Sequence, residues 1–387
     1  MKKVLILNPL GFYDATPCIV SIISYLKESG YEIDMISIKD TGVLDLNVNF
    51  LHLFSSNSKK ISIKLGKIIF PFFLILRCFG KSYNSIIVID NWGLIYSLLC
   101  RTKKTKLIYL VLHIFSLSSA VARKNILAFV TKMIETAAIS SVDAILIQDE
   151  QRKKSFISQN KSSQSKNFFI LPNTHRGSVN FKKSTFYQDL FKVSNETKFV
   201  IMAGTIEKWS FPEFLIDATN EQSKPSIYKS IIQSRQSRSE QDNYIGTLTE
   251  MSKEDVFFCL NPIDIKDLDV AISSSHIGCA FYQAETDYNH SVLGFASGKM
   301  LSYLKNGIPI IMFNSSGVSE LVNKYKCGKI LNTTSSKALN TAINEILGNY
   351  LEYSRNALKC YSENFDFDSH MRPIRQFIET TDFQLDE

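Results

Sequence analysis

"FASGKMLSYLKNGIPIIMFNSSGVSELV", residues 295–322, reads as turn, helix, strand, turn, helix. After Ser297, Gly298 and Lys299 the apolar residues recur at helical spacing up to Gly307. "GIPIIMF" (307–313) is a short continuous apolar run. Such a run suits a strand buried on both faces, as in a parallel sheet. Ser315, Ser316 and Gly317 then lead into "VSELVNKYKCG", a second helical pattern. Strand alternating with helix is the mark of a doubly wound α/β sheet.

The same alternation runs outward. Apolar runs at 2–8, 31–38, 85–90, 106–113 and 144–148 are separated by helical patterns such as "CIVSIISYLKESG" (18–30), whose final glycine suits a C-cap. "FFILPN" (168–173) closes this series after a Ser-, Lys- and Gln-rich loop. "KFVIMAG" (198–204) opens a second series, continued by "SFPEFLIDATNE", "PSIYKSIIQS", "IGCAFYQ" (277–283), the run at 307–313 and "KALNTAINEILGNY". The expected fold is α/β, with two tandem doubly wound parallel-sheet domains over 1–175 and 190–360. A last helix, about 365–387, is expected to pack back on the first domain. Ligands of open α/β sheets bind beyond the carboxyl ends of the strands, so a central cleft faced by both domains is the expected site.

Composition narrows the class. The 387 residues are 45% hydrophobic and 21% charged, with no internal repeat, which suits a chain burying an ordinary core. Seven cysteines form no Cys-x-x-Cys pair and read as reduced, buried thiols of a cytoplasmic protein. The start "MKKVLILNPLGF" reads as a first buried strand and turn rather than a leader. Charge is uneven. Residues 1–175 hold 22 Lys and Arg against 11 Asp and Glu, whereas residues 176–387 hold 22 against 26. A basic half calls for an anionic partner or serves solubility. No recognition-helix, zinc-finger or aromatic-basic RNA pattern points to nucleic acid. "KKISIKLGKIIFPFFLILRCFGKS" (59–82) is better suited to an anionic membrane surface. Its apolar run at 68–76 falls short of the roughly 18–20 residues that span a bilayer, and Pro71 interrupts it. The segment reads equally as a core helix with a solvated lysine face.

Both small-residue turns precede helices. Free backbone N–H groups at a helix start attract anions, Lys299 adds a full charge, and small residues allow close approach. Two such starts around one strand suit a diphosphate carrying two organic groups, although Ser- and Gly-rich turns also serve simply to cap helices.

"ASGKMLSYLKNGIPII…SSGVSELVNKYKCGKIL" resembles the donor-binding region of GT-B glycosyltransferases, especially the retaining family 4 (glycosyl transferases group 1). "LPNTHRG" (171–177) resembles that family's segment between domains, and "KFVIMAGTIEKWSFPEFLIDA" its strand, glycine, basic loop and helix. "LIYLVLHIF" resembles its strand ending in a cleft histidine. The resemblance covers most of the chain, most specifically residues 277–331. It implies a GT-B fold of two Rossmann-like domains. It also implies transfer of a sugar, with retention, from a UDP- or GDP-linked donor to a glycan or polyprenyl-lipid-linked acceptor. The pathway implied is synthesis of bacterial-type surface polysaccharide or glycoconjugate. No metal or resident cofactor is expected. The protein is expected in the cytoplasm, at the inner face of the membrane.

Roles implied by the resemblance fall as follows. His113 orients a sugar hydroxyl or relays a proton, Asp14 reaches the acceptor, and Glu285 or Asn289 meets the donor sugar. The donor's nucleotide part is met by Gly11, Gly204, Thr205, Lys208, Ser297, Gly298, Lys299, Ser302, Ser316, Gly317 and Glu320. The family's paired glutamates, spaced Glu-x7-Glu, fall at Gly294 and Ser302, and the usual arginine after the domain-opening glycine is Thr205. Serine bonds a ribose hydroxyl without charge and with shorter reach. These departures keep two other functions open: an inactive GT-B-fold partner subunit, and a GT-B sugar-nucleotide epimerase.

Overall fold

The computed structural model describes residues 2–9, 11, 16–39, 48–54, 60–116, 126–180, 182–239, 241–283, 287–315 and 317–380, with only the backbone described at 39, 60–64 and 127. Asp14, Glu285 and Ser316 lie outside the described residues. The chain divides into two compact units, Met1–Arg176 with Phe367–Glu387, and Gly177–Asp366.

The first unit is built on β1 (Lys3–Leu7), β2 (Glu32–Lys39), β3 (Asn49–Phe54), β4 (Ser85–Ile89), β5 (Lys106–Leu110), β6 (Ala144–Ile147) and β7 (Asn167–Ile170). Their order in the sheet is β3-β2-β1-β4-β5-β6-β7, all parallel. β4 is buried at every residue and β1 at four of five, because helices cover both faces. Parallel crossovers are right-handed. The chain moves one way across the sheet through helix Pro17–Glu28 and the other way through helices Lys60–Cys78, Asp90–Ser97 and Ile126–Ala138. The latter three therefore lie on the face opposite the first. Helix Phe367–Glu379 returns to pack beside Pro17–Glu28 through Phe367, Met371, Ile374 and Ile378, spaced for one helical stripe. Arg176 locks that return with a two-pronged pair to Asp368 at 2.6 and 2.8 Å.

The second unit is built on β8 (Phe199–Gly204), β9 (Lys229–Ser234), β10 (Val256–Cys259), β11 (Ile277–Cys279), β12 (Ile310–Phe313) and β13 (Gly328–Leu331). The order is β10-β9-β8-β11-β12-β13, again parallel. Strand order reverses between β1 and β4 in the first unit and between β8 and β11 in the second. At such reversals the flanking helices diverge, and their loops leave a crevice at the carboxyl ends.

Candidate functional site

In the second unit the β8/β11 crevice is organised around Lys299. Ser297 caps helix Gly298–Lys305, its Oγ accepting the Met300 N–H at 3.3 Å. The Tyr282 hydroxyl lies 2.9 Å from the same Oγ. Lys299 then extends along the end of β8. Gly204 sits at φ +129°, and a Cβ there would stand 3.3 Å from Lys299 Cε. Glycine is required for both reasons. The Lys299 Nζ lies 4.7 Å from the Tyr282 ring centre and 5.9 Å from that of Trp209. The two rings stack on each other at 14°, and the His290 ring approaches Trp209 at 4.8 Å. Gln283 N–H donates to the Trp209 carbonyl at 2.9 Å, tying the loop after β11 to the loop after β8.

The electrostatics are unusual. Lys299 Nζ is shielded from solvent and has no hydrogen-bond partner among the described residues. Burial, and then the nearby Arg235 guanidinium, pulls it down to about 8. Arg235 stands at the end of β9, its backbone N–H bonded to the Gly204 carbonyl at 3.0 Å. Burying an ammonium without a counter-charge is costly. Aromatic faces return part of that cost, and an anion would return more.

The second turn carries a second orphan. Ser315, beyond β12, has a buried Oγ without a partner. Gly317 follows at φ +82° and starts helix Val318–Tyr325. The Ser319 hydroxyl donates to Asn314 Oδ1 at 2.6 Å and accepts from the Ser315 N–H at 3.3 Å, holding the turn. The two turns singled out in the sequence thus stand at the carboxyl ends of adjacent strands, each with an unsatisfied buried polar group.

Other expected residues fall less centrally. Thr205 follows Gly204 and is part-exposed, while Lys208 is exposed on a short 3-10 turn, Lys208–Ser210. Ser302 is buried in the second turn of the Lys299 helix. Glu320 is exposed in the first turn of helix Val318–Tyr325. Asn289 is held by Asp287, which accepts from both its backbone and side-chain nitrogens. Trp209, Arg235, Tyr282 and His290 belong to the site and were not picked out from sequence. Trp209 follows β8, Arg235 follows β9, and Tyr282 and His290 follow β11, so no local spacing links the three connections.

In the first unit the β1/β4 crevice holds His113. Asp90, at the end of β4, adopts φ +53°, a left-handed conformation that costs a non-glycine residue on the order of 1 kcal/mol or more. Its Oδ1 accepts the N–H groups of Leu112 and His113 at 2.8 and 2.9 Å, and its Oδ2 lies 2.6 Å from His113 Nδ1. This fixes the exposed imidazole with Nδ1 toward the carboxylate. Arg152 and Gln148 brace the same loop, bonding the Leu112 and Val111 carbonyls. Gly11, at φ +75°, closes a turn on the Asn8 carbonyl. The buried Asn8 and Asn91 side chains each leave Nδ2 without a partner. Asp90 was missed from sequence because it looked like the last residue of a strand. Among the described residues no group of three or more His, Cys, Asp or Glu can hold a metal ion.

An anion at Lys299 stabilises its protonated form and raises its pKa. Pyrophosphate affinity is therefore expected to fall as pH passes upward through 8, by at most about tenfold per unit. Calorimetry between pH 7 and 9, repeated in buffers of different ionisation heat, reads both the trend and the accompanying proton uptake. A flat affinity over that range would remove Lys299 from anion binding.

No protein-family model matches the chain, and no curated protein does. Solved structures do. Sucrose-phosphate synthase from Thermosynechococcus elongatus is 14% identical over 97% of this chain and 98% of its own, with a TM-score of 0.74. HepE from Anabaena, in complex with UDP-glucose, is 15% identical over 98% and 99%, with a TM-score of 0.72. WaaG, a glycosyltransferase involved in lipopolysaccharide biosynthesis, is 11% identical over 98% and 100%, with a TM-score of 0.68. These likenesses establish the fold of the two parallel-sheet units as GT-B.

Proposed function

We propose that the chain is a glycosyltransferase that takes a sugar from a nucleoside-diphosphate donor, UDP- or GDP-linked. The acceptor is a glycan or polyprenyl-linked glycan at the cytoplasmic face of a membrane, in surface polysaccharide or glycoconjugate synthesis. One observation carries the reading: the buried Lys299 ammonium at the β8/β11 reversal, beside Arg235 and without a hydrogen-bond partner among the described residues. A diphosphate supplies the missing counter-charge there. Complexes of the like-folded HepE with UDP and with UDP-glucose support the choice of donor.

The second unit binds the donor. Lys299 and Arg235 neutralise the departing diphosphate, with amides of the Ser297–Gly298 and Ser315–Gly317 turns adding donors. Trp209, Tyr282 and His290 offer aromatic faces. Glu285 and Asn289 are assigned to the donor sugar, with Thr205, Lys208, Ser302, Ser316 and Glu320 around the nucleotide. The first unit binds the acceptor through Asp14 and His113, and Gly11 is assigned to the donor's nucleotide part. Held by Asp90, His113 presents Nε2 to a sugar hydroxyl, orienting it or relaying its proton. Retention at the anomeric carbon and transfer without a metal belong to this proposal.

Calorimetry with UDP- and GDP-sugars, followed by nucleotide release with membrane lipid extract, tests the reading. Gly294 and Ser302, where the resembled family carries glutamates, favour one rival, an inactive partner subunit. That rival binds no donor. An epimerase would release an isomeric nucleotide sugar with no acceptor present.

Asp90→Asn keeps the size of the side chain but turns an amide toward His113 Nδ1, which reverses the tautomer. Turnover is expected to fall on the order of 100-fold with donor affinity unchanged. Unaltered turnover would show that His113 needs no orienting carboxylate.

A further inference from the structure

The outer helices of the first unit are apolar where a solvated face is normally polar. On helix Lys60–Cys78 and just beyond it, Leu65, Ile68, Phe72, Ile75, Leu76 and Phe79 are exposed. Their spacing of three and four residues makes one stripe. Phe72 is 68% exposed, Leu76 76% and Phe79 85%, while Phe70 and Leu74 on the other side of the helix are buried. A helix apolar all round is at home in a core or at a membrane. This one has only one face in the core.

The stripe does not stand alone. Leu98 and Leu99, at the end of helix Asp90–Ser97, are exposed, as are Ile126, Phe129 and Met133 on helix Ile126–Ala138. Ile126 is 83% exposed. The first two helices are joined by the Phe70 and Tyr96 rings at 5.2 Å and by the Tyr96 hydroxyl donating to the Lys67 carbonyl at 3.0 Å. Helix Asp90–Ser97 in turn packs on Ile126–Ala138. All three lie on one face of the sheet. An apolar surface shared by three neighbouring helices marks an interaction site.

Charge identifies the occupant. Residues 46–142 contain 13 Lys and Arg but only two carboxylates, Asp90 and Glu135. Both are buried, Asp90 against His113 and Glu135 against Lys132 and Tyr109. Arg77, Lys103 and Lys104 stay exposed around the apolar patch. Two copies meeting through this face would set Arg77, Lys103 and Lys104 against one another, and Asp143, the next carboxylate along the chain, is already paired with Arg101 at 3.0 Å. A surface of anionic lipid is complementary to both features. Among the described residues no helix is long and apolar enough to cross a membrane.

We propose that this three-helix face docks on an anionic lipid bilayer. Phe72, Leu76, Phe79 and Ile126 enter the headgroup boundary, and Arg77, Lys103 and Lys104 meet lipid phosphates. The inference rests on the surface itself and holds whether or not the chain transfers a sugar.

Flotation of the full chain with vesicles tests it. Binding is expected to vesicles containing phosphatidylglycerol and not to pure phosphatidylcholine, and it should weaken as salt rises. The combined variant Phe72→Ser, Leu76→Ser, Phe79→Ser should bind at least about tenfold less. Lys103→Glu with Lys104→Glu should bind less as well. Leu351→Ser, which alters an exposed leucine of the second unit, should bind like the parent. Melting curves and nucleotide calorimetry on the same variants show that folding and the donor site are untouched. Equal binding to neutral and anionic vesicles, or parent-like binding by the triple variant, overturns the proposal. So does a solution dimer that ignores vesicles and falls apart in the triple variant, since the face would then be a subunit contact.

Discussion

Lys299→Met is expected to abolish sugar transfer while leaving the protein at least as stable as the parent. Methionine keeps the unbranched stem that lies along Gly204 and under the Tyr282 and Trp209 rings, and it removes the ammonium. With no hydrogen-bond partner for Nζ among the described residues, the folded state loses no contact of that kind there and is spared a desolvated charge. A stability gain on the order of 1 kcal/mol is expected. Donor binding and turnover move the other way. Removing a group aimed at developing charge in a site shielded from water typically lowers the rate by about 10²–10³. Nucleotide calorimetry and a melting curve on one preparation read both effects. Parent-like nucleotide affinity would end the role of Lys299, and a lower melting point would contradict the claim that its charge is uncompensated.

Gly278→Ala is expected to destabilise the second unit severely. A Cβ at Gly278, in the central strand β11, would stand 2.2 Å from Tyr303 Cδ2 and 2.4 Å from Cγ. Tyr303 is fully buried and cannot retreat freely, because its hydroxyl accepts the Ala203 N–H at 2.8 Å. The ring lies on the helix that carries Lys299, so relief of the clash moves that helix away from β8 and β11. Overpacking of this kind costs roughly 1–3 kcal/mol, and losing the Ala203 bond adds about 1 kcal/mol. Urea unfolding should therefore show a loss of about 3 kcal/mol, with donor binding weakened in the folded protein. Adding Tyr303→Leu to Gly278→Ala should recover part of the loss. A single variant within about 0.5 kcal/mol of the parent would mean that β11 and the helix slide apart more easily than their packing suggests.

The strands were readable because the sheets are parallel and covered on both faces. "KVLIL", "SIIVI" and "AILI" are runs of apolar residues with no polar alternation, and each proved a buried strand. β3, "NFLHLF", β10, "VFFC", and β13, "GKIL", were not read. All three lie at sheet edges and are only partly buried, and β3 carries Asn49 and His52 within the run. Residues 59–82 were legible as a cationic apolar segment. Which half of it would face the sheet could not be read, because apolar residues occur all round the helix. Gly66 against Ile38 and Phe54 decides that half.

Local pattern by itself determined the α/β class, the buried inner strands of the two series and the turns before the helices at Ser297–Lys299 and Ser315–Gly317. Each of these depends on residues within a few positions of one another, and periodicity and turn chemistry record such neighbours. Tertiary structure alone decided that Lys299 lies under Trp209 and Tyr282 beside Arg235, and that Asp90 holds His113. Those partners are far apart along the chain. A parallel sheet brings the carboxyl ends of its strands to one edge whatever their separation in sequence, and no short-range pattern encodes which side chains then meet.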